Sequence, residues 1–299
     1  MRADPTYYST VVQALNSSMS NSNNLAAQLS SGLRVGSLSD DPVAATQSLQ
    51  LGSQITRIDS YVQTASGVAS RLQAMDSALG EVVSKVTSAI SLAVGAANGT
   101  LNGSNLQAIA QQIGSIRDNL LSLANSSYQG TYLFAGTKGT TTPFSLNTTA
   151  TPATVNYAGD GNPQTIETSG GQQIQISLPG TTIFGTGSTG VFGVINQLIA
   201  DLTSGAPTAN ISADSSALTS ALNNVSTQRT FLNNSLNTVQ STSTYAQTQE
   251  AQIKVQQSAL VASDPAKIAT DLKANQTQYQ ALLSVATILQ QTNLFNYMK

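Results

Sequence analysis

The sequence predicts a mainly α-helical protein with a small β insertion (α+β), folded as an elongated hairpin of long helices whose N- and C-terminal helices pair as a coiled coil. Three patterns support this fold class. Both ends carry apolar stripes at coiled-coil spacing, long helical stripes lie inside them, and one central region changes to period two. Because chain ends are usually the least ordered segments, the terminal stripes are the most informative pattern.

The two terminal stripes both follow alternating steps of four and three residues. Ser22 interrupts the first stripe, and Asn275 and Asn293 are polar members of the second. We expect the two ends to lie side by side or against neighbouring copies of the chain. The apolar members are Tyr8, Val12, Leu15, Met19, Ala26, Leu29 and Leu33 at one end, and Ile268, Leu272, Tyr279, Leu282, Ala286 and Leu289 at the other.

Two Asp-Pro pairs predict helix starts next to these stripes. Asp41-Pro42 follows a Ser- and Gly-rich segment, and Asp264-Pro265 opens the C-terminal stripe. Asp accepts a backbone amide as an N-cap, and Pro at the first helical position loses no hydrogen bond. Asp40 adds negative charge at the positive end of the second helix. The sequence therefore predicts a non-helical joint between the first two helices.

The interior of the chain reads as a helical hairpin, a β-rich insertion and a long returning helix. Helical stripes occupy 51–90, 106–123 and 218–260, with a turn at 95–104 and a linker at 205–214. Period-two segments at 132–134, 155–157, 165–167 and 173–176 predict short strands, and a short helix follows at 194–202.

These elements predict three domains. Residues 1–40 and 264–299 form a terminal coiled-coil assembly domain, 41–130 and 205–263 form a helical bundle domain, and 131–204 form an inserted β-rich outer domain.

Composition argues against most enzyme classes and against two classes of partner. The 299 residues contain no Cys and no His, which removes thiol nucleophiles, His-based triads and ordinary zinc ligands. Only 9% of residues are charged, and the net charge is -2. The sequence has no run of basic residues of the kind that binds nucleic acid. We expect no membrane span, because no stretch approaches about 20 apolar residues. We predict no catalytic residue, no cofactor and no metal site.

Two weaker motifs have simpler explanations. The glycine pattern from Gly185 to Gly190 matches a dinucleotide-binding loop, but only linker residues follow where a second parallel strand and an acidic residue are needed. Asp160 and Glu167 are the only carboxylates on loops or strands away from helix caps. We interpret the glycines as turns and the two acids as solvated turn residues.

The helix-joint residues resemble the flagellin superfamily. The segment Leu29–Val35 with Ser39–Ala45 is similar to the N-terminal signature of that superfamily. Met1-Arg2 with Pro5, Gly130–Thr137 with Pro143-Phe144, and the ending Asn293–Met298 resemble its hook-filament junction proteins. The resemblance implies a structural, non-enzymatic subunit of the extracellular bacterial flagellum, exported by the type III route without a cleaved signal peptide.

The resemblance also implies partners, and the terminal stripes predict a set of interface residues. The partners are a homo-oligomeric ring, the other hook-associated junction protein, flagellin, and an export chaperone on the C-terminal helix. Because the terminal apolar residues are few for the number of residues to be ordered, we expect the ends to fold only against neighbouring subunits. The predicted subunit interface is Tyr8, Val12, Leu15, Met19, Leu29, Leu33, Ile268, Leu272, Tyr279, Leu282, Leu289, Leu294 and Phe295, and the predicted domain joint is Gly32, Arg34, Asp40, Asp41 and Pro42.

Two alternative functions stay open on the sequence. A flagellin-type filament subunit would have the same architecture but polymerise indefinitely. A secreted glycan-binding or hydrolytic module could be carried by the β insertion, although no motif in 131–190 points to one.

Overall fold

The computed structural model of the chain describes the backbone of residues 5–297 and the side chains of residues 8–289. Long helices and short antiparallel strand pairs confirm the predicted mainly α fold class with a small β insertion. The helices are α1 Pro5–Ser31, α2 Pro42–Ala96, α3 Gly103–Ala124, α4 Gly180–Phe184, α5 Val191–Ser204, α6 Thr208–Val261 and α7 Pro265–Tyr297. The strands are β1 Ser127–Tyr128, β2 Thr131–Tyr132, β3 Phe144–Asn147, β4 Thr154–Tyr157, β5 Thr165–Glu167 and β6 Gln173–Gln175.

Both predicted Asp-Pro helix starts are confirmed. Asp41 Oδ1 accepts the Ala44 amide at 3.0 Å, and Asp264 Oδ1 accepts the Ala266 amide at 2.9 Å. In each case the acidic side chain accepts a hydrogen bond from a backbone amide that has no partner within the first helical turn.

The predicted linker at 205–214 is wrong over most of its length. Gly205 ends α5 in the left-handed conformation, with φ of 69°, and α6 already begins at Thr208. Ile211 is fully buried in the first turns of α6. Tertiary burial of this side chain therefore outweighs the weak helix preference of the Thr- and Asn-containing segment around it.

The β insertion consists of three separate two-stranded antiparallel pairs, β1 with β2, β3 with β4, and β5 with β6. The predicted strands at 155–157, 165–167 and 173–176 are observed, whereas β1 and β3 were not predicted. Leu133 and Phe134, predicted as strand, lie outside β2 but are buried. Phe134 meets Phe184 edge to face with ring centroids 5.7 Å apart, and Phe184 also packs on Phe144 and Phe192.

The chain divides into two compact units. One contains Ile58–Thr248, and the other contains the residues up to Arg57 and from Gln249 onward. In Ile58–Thr248, the apolar residues of α2, α3, α5 and α6 form the core. Its fully or almost fully buried members include Leu72, Met75, Leu79, Val82, Ile113, Leu120, Ile195, Leu198, Leu218, Val225 and Leu232.

One charged pair connects α2 to α6 within Ile58–Thr248. Arg229 donates to Asp76 through Nε at 2.7 Å and Nη2 at 3.1 Å, and Asn233 donates to the same carboxylate at 3.1 Å. The hydrogen bonds from Arg229 are the main reason that the pKa of Asp76 lies below its usual range.

Helix α2 alone among the described helices is long and apolar enough to cross a membrane by length and composition. A core helix passes the same test, and α2 carries the fully buried Met75, Leu79 and Val82. We therefore interpret α2 as a core helix.

Candidate assembly surface

Helices α1 and α7 pack along each other in the unit that contains both chain ends. We call their line of contact the seam. Val11 and Ser18 of α1 and Ile268 and Asn275 of α7 are buried in it, each no more than 7% exposed. Half of these four most buried positions are polar, whereas the central positions of an ordinary coiled coil are mainly apolar.

Asn275 is the centre of a polar network in the seam. Its Nδ2 group donates to the Ser18 carbonyl oxygen at 2.8 Å and to Ser22 Oγ at 2.9 Å, while its Oδ1 accepts from Ser18 Oγ at 2.8 Å. A buried Asn with satisfied partners fixes the register of two helices at a cost in stability. Ser22 and Asn275, which interrupt the apolar stripes in the sequence, therefore meet each other in the structure.

Most of the predicted apolar stripe of α1 is not buried in the seam. Leu15 is half-buried, and Ala26 is exposed. The remaining five members, which we call the outer stripe, are exposed by the following fractions: Tyr8 43%, Val12 37%, Met19 56%, Leu29 42% and Leu33 40%. Four of them lie in α1 and Leu33 lies just after its end, and all five leave apolar surface exposed.

The predicted stripe of α7 faces the seam. Ile268 is buried, and Leu272, Tyr279, Leu282 and Leu289 are half-buried. Outside the seam, Leu283, Val285 and Ile288 are exposed by 42%, 38% and 60%. These three side chains were not predicted as interface residues, because they lie off the single heptad stripe of α7. Leu294 and Phe295 lie outside the residues whose side chains the structure describes.

The residues predicted as a joint form the connection between α1 and α2. Gly32 follows α1 with φ of 70°, in the left-handed region that favours glycine at the end of a helix. The connection then runs antiparallel to the end of α6. The Arg34 amide donates to the Val261 carbonyl at 2.7 Å, and the Ser263 amide donates to the Gly32 carbonyl at 3.0 Å. The joint is therefore tied by backbone hydrogen bonds to the segment that precedes α7.

Charged side chains hold the joint in shape. Arg34 donates to the Leu260 carbonyl at 2.9 Å and to Asp41 Oδ2 at 3.3 Å. Asp40 Oδ2 accepts the amides of Ser37 at 2.8 Å and Gly36 at 3.0 Å, and these bonds lower the pKa of Asp40. The Ala44 amide is the main cause that lowers the pKa of Asp41. Pro42 occupies the first position of α2.

Sequence reasoning missed the other side of the joint. Leu33 forms an antiparallel bridge with Ala262, and Val35 is buried with an exposed fraction of 7%. Residues 260–263 carry no motif that points to this role. Only the pairing in space identifies them.

The glycines and Asp160 lie in turns, as expected, whereas Glu167 lies on a strand. The glycines at 185–190 form a tight loop between α4 and α5, where a Cβ on Gly185 would meet Gly190 Cα at 2.7 Å. Asp160 accepts the Thr137 amide at 2.9 Å and the Asn162 amide at 3.2 Å, and Glu167 is exposed on β5. In the part of the chain that the structure describes, no group of three or more His, Cys, Asp or Glu residues could hold a metal ion.

Comparison with known families explains the helical ends. The model of the bacterial flagellin N-terminal helical region matches residues 6–139, and the model of the flagellin C-terminal helical region matches residues 215–298. The chain belongs to the flagellin superfamily. The two matches contain α2, α3 and α7, nearly all of α1 and most of α6, whereas most of the β insertion lies between them.

Relatives within the superfamily are flagellar hook-associated proteins. The flagellar hook-associated protein 3 of Escherichia coli (strain K12) is 27% identical over 297 residues, with 91% of each chain covered. A solved structure described as a flagellar hook-associated protein from Vibrio parahaemolyticus is 22% identical, with a TM-score of 0.68, covering 75% of this chain and all of that one.

The flagellar junction protein FlgL from Legionella pneumophila is 14% identical, with a TM-score of 0.58, covering 74% of this chain and 100% of its own. The two solved structures support the fold. The curated relative confirms the resemblance that the terminal motifs predict.

Proposed function

We propose that this chain is a structural subunit at the junction between hook and filament, in the extracellular bacterial flagellum, and that it works by assembly through α1 and α7. The observation that carries this proposal is the outer stripe. Five large apolar side chains, four in α1 and Leu33 just after its end, each remain at least 37% exposed, while the seam buries Ser18 and Asn275. Contiguous exposed apolar surface on a folded protein marks an interaction site.

The division of apolar side chains between the two faces of α1 supports assembly over a monomeric role. A helix pair optimised for the isolated molecule would place its most apolar residues in the seam. Here Met19 is exposed, and Ser18, its neighbour in sequence, is buried. Neighbouring subunits that cover the outer stripe would supply the apolar burial that the seam lacks.

The ends of the chain become rigid when they meet their neighbours. The polar seam gives the α1–α7 pair a defined register but little stability on its own. The remaining order then comes from contacts between subunits, so that folding of the ends and assembly are coupled. The interface residues are those predicted from the sequence, together with the exposed Leu283 and Val285 of α7.

The partners in this proposal are those that the resemblance to hook-filament junction proteins implies. The subunits form a ring with other copies of this chain, which contacts the other hook-associated junction protein on one side and flagellin on the other. Before assembly, an export chaperone covers the apolar side chains of α7. The chain is exported by the type III route, keeps its N-terminus and catalyses no reaction.

A polymerisation assay on the purified full-length chain tests the junction role. We expect the chain to remain free in solution alone and to join only isolated hooks that carry the other junction protein, as seen by electron microscopy. Long filaments formed by the chain alone would instead assign it to the flagellin-type filament subunits.

Limited proteolysis of the dilute chain tests the coupling of folding to assembly. We expect a protease to remove both ends and leave a core of about residues 45–260, since loosely held termini are the preferred sites of cleavage. Assembled chain should resist the same treatment. Ends of the dilute chain that are protected from cleavage and from amide exchange would contradict coupled folding.

A further inference from the structure

Strand β4 has one free edge. It pairs with β3 in a register that places Phe144 opposite Tyr157. In an antiparallel pair, residues whose backbone groups bond the partner strand alternate with residues whose groups point away from it. The Ala158 amide donates to the Pro143 carbonyl at 2.8 Å, so the even-numbered residues of β4 face β3. The backbone N–H and C=O groups of Val155 and Tyr157 therefore point to the other edge.

Asn125 supports this assignment from the opposite side of the hairpin. Its Oδ1 accepts the Phe144 amide at 2.9 Å, and its Nδ2 donates to the Phe144 carbonyl at 2.8 Å. Phe144 therefore turns both backbone groups away from β4, as the residue opposite Tyr157 must if the Tyr157 groups point outward. Among the described residues, no backbone group pairs with the outward N–H and C=O groups of Val155 and Tyr157.

A cleft of about 670 Å³ runs along this free edge, within the Ile58–Thr248 unit. It contacts every residue from 152 to 157, although alternate side chains of a strand lie on opposite faces of a sheet. The cleft therefore follows the edge of β4 and not one face. Its volume lies within the range of small-ligand sites. Its lining residues are Phe144, Pro152, Ala153, Thr154, Val155, Asn156, Tyr157, Phe184, Gly185, Thr186, Gly187, Ser188, Gly190, Phe192, Gly193 and Gln197.

The glycine-rich loop between α4 and α5 forms the opposite wall of the cleft. A Cβ on Gly190 would meet the Phe184 carbonyl oxygen and the Gly185 carbonyl carbon, both at 2.8 Å. A Cβ on Gly193, in the first turn of α5, would meet Ser188 Cα at the same distance. The loop packs so closely on itself and on α5 that only glycine fits at these positions. The glycine pattern of the sequence therefore gives the cleft a fixed wall.

The lining of the cleft has no charged residue. Its polar members include the exposed side-chain amides of Asn156 and Gln197, and its aromatic members include Phe144 and Phe192, each no more than 5% exposed. A charged group in this cleft would lose water without gaining a counter-charge. An extended peptide backbone, in contrast, carries the N–H and C=O groups that a free strand edge can bind.

We propose that this cleft binds an extended, uncharged peptide segment of another protein, which adds a third strand beside β4 through the backbone of Val155 and Tyr157. The cleft has room for a few residues of one extended segment and not for a second folded hairpin, so the occupant is a flexible segment of a partner. Asn156 and Gln197 supply further hydrogen bonds. The failure of this proposal would leave the proposed function intact, because the cleft does not include α1 or α7.

A titration of the ¹⁵N-labelled full-length chain with a synthetic peptide tests this site. The probe is acetyl-Thr-Val-Thr-Val-Thr-amide, which is uncharged and whose β-branched residues favour an extended backbone. We expect the amide resonances of Val155 and Tyr157 to shift downfield and their exchange with solvent to slow, because both amides gain hydrogen bonds. The amides of Thr154 and Asn156, which already face β3, should change less.

Two modified peptides test the chemistry of the occupant. N-methylation of the second and third residues blocks both edges of the extended peptide, because adjacent amides lie on opposite edges, and should abolish the shifts. Glutamate at the three central positions places at least one carboxylate in the uncharged cleft, whichever face the peptide turns inward. This change should weaken binding by at least about tenfold.

Two pairs of variants test the two walls. Val155→Pro removes an outward amide of β4 and should weaken binding at least about tenfold, whereas Leu146→Pro, at the residue opposite Val155 and outside the cleft lining, should retain it. Ser188→Trp places a large side chain at the cleft and should block the peptide. Thr189→Trp is its control, because Thr189 is also exposed in the loop but does not line the cleft.

Three results would overturn the proposal. The neutral probe could leave the Val155 and Tyr157 amides unchanged, or shift them no more than the N-methylated peptide does, and either result excludes strand addition at this edge. Equal binding of the glutamate peptide excludes selection for an uncharged occupant. Shifts of the same two amides when the chain alone is concentrated would place a second copy, and not another protein, in the cleft.

Discussion

The substitution Met19→Asp tests whether the outer stripe of α1 carries assembly. Met19 is 56% exposed beside the seam. Complete burial of a Met side chain contributes about 1.5–3 kcal/mol, so covering its exposed half at an interface contributes about 1 kcal/mol. An unpaired carboxylate in the same place adds a desolvation penalty of at least about 2 kcal/mol. The sum, about 3 kcal/mol per contact, corresponds to a rise of more than about 100-fold in the concentration needed for assembly.

The assay combines co-sedimentation with hook-side partners and circular dichroism of the free chain. We expect M19D to lose assembly while its helical signal and thermal unfolding midpoint remain close to those of the unchanged chain, because Met19 is outside the seam. Asn24→Asp is the matched control, since Asn24 is exposed on another side of α1 and receives the same charge. Assembly by M19D at unchanged concentration would refute the role of the outer stripe.

Three further substitutions test the seam, the core and one partly buried carboxyl group one at a time. Leu282→Asp, in the seam, should abolish both the α1–α7 pair and assembly, yet leave the Ile58–Thr248 unit folded, as amide exchange would show. Asp76→Ala should lower the free energy of unfolding by about 1–3 kcal/mol in urea titrations, because Arg229 and Asn233 lose their shared acceptor. Burial, with Asp201 nearby, raises the pKa of Asp214 to about 6. Stability of the unchanged chain relative to D214N should therefore be highest below about pH 4 and fall by about 1 kcal/mol, after solvent screening, as pH rises through 6.

The elements that sequence predicted best are those with a local physical cause. Asp41-Pro42 and Asp264-Pro265 cap their own helices, so neither start depends on distant residues. The start of α6 at Thr208 was not predicted, for the opposite reason: the burial of Ile211 is a tertiary effect that no local pattern in 205–214 shows. The strands β1 and β3 are similar cases. β1 has only two residues, and β3 is defined by its pairing with β4.

The candidate site shows the same division. The sequence predicted the members of the apolar stripe of α1, but it could not predict which face of α1 meets α7. A heptad search assigns the most apolar residues to the seam, whereas the structure places Ser18 and Ser22 there. The reason lies in Asn275, which is more than 250 residues away and needs the polar groups of both serines. The register of α1 against α7 therefore depends on residues of α7, and the sequence pattern of α1 alone does not predict it.

The seam with α7 and the proposed contact of the outer stripe with another subunit therefore have different functions. A satisfied Asn in a helix seam favours one register over its alternatives, because any shift would bury the amide against apolar groups. Because these seam positions are polar, the α1–α7 pair buries less apolar surface. The apolar side chains of the outer stripe remain exposed and can be buried in a second contact, with another subunit. Exchanging the roles, with Asn275→Leu in the seam, should strengthen the isolated pair and allow slipped registers. Because slipped registers would move the outer stripe relative to α7, a more stable pair is expected to assemble less well.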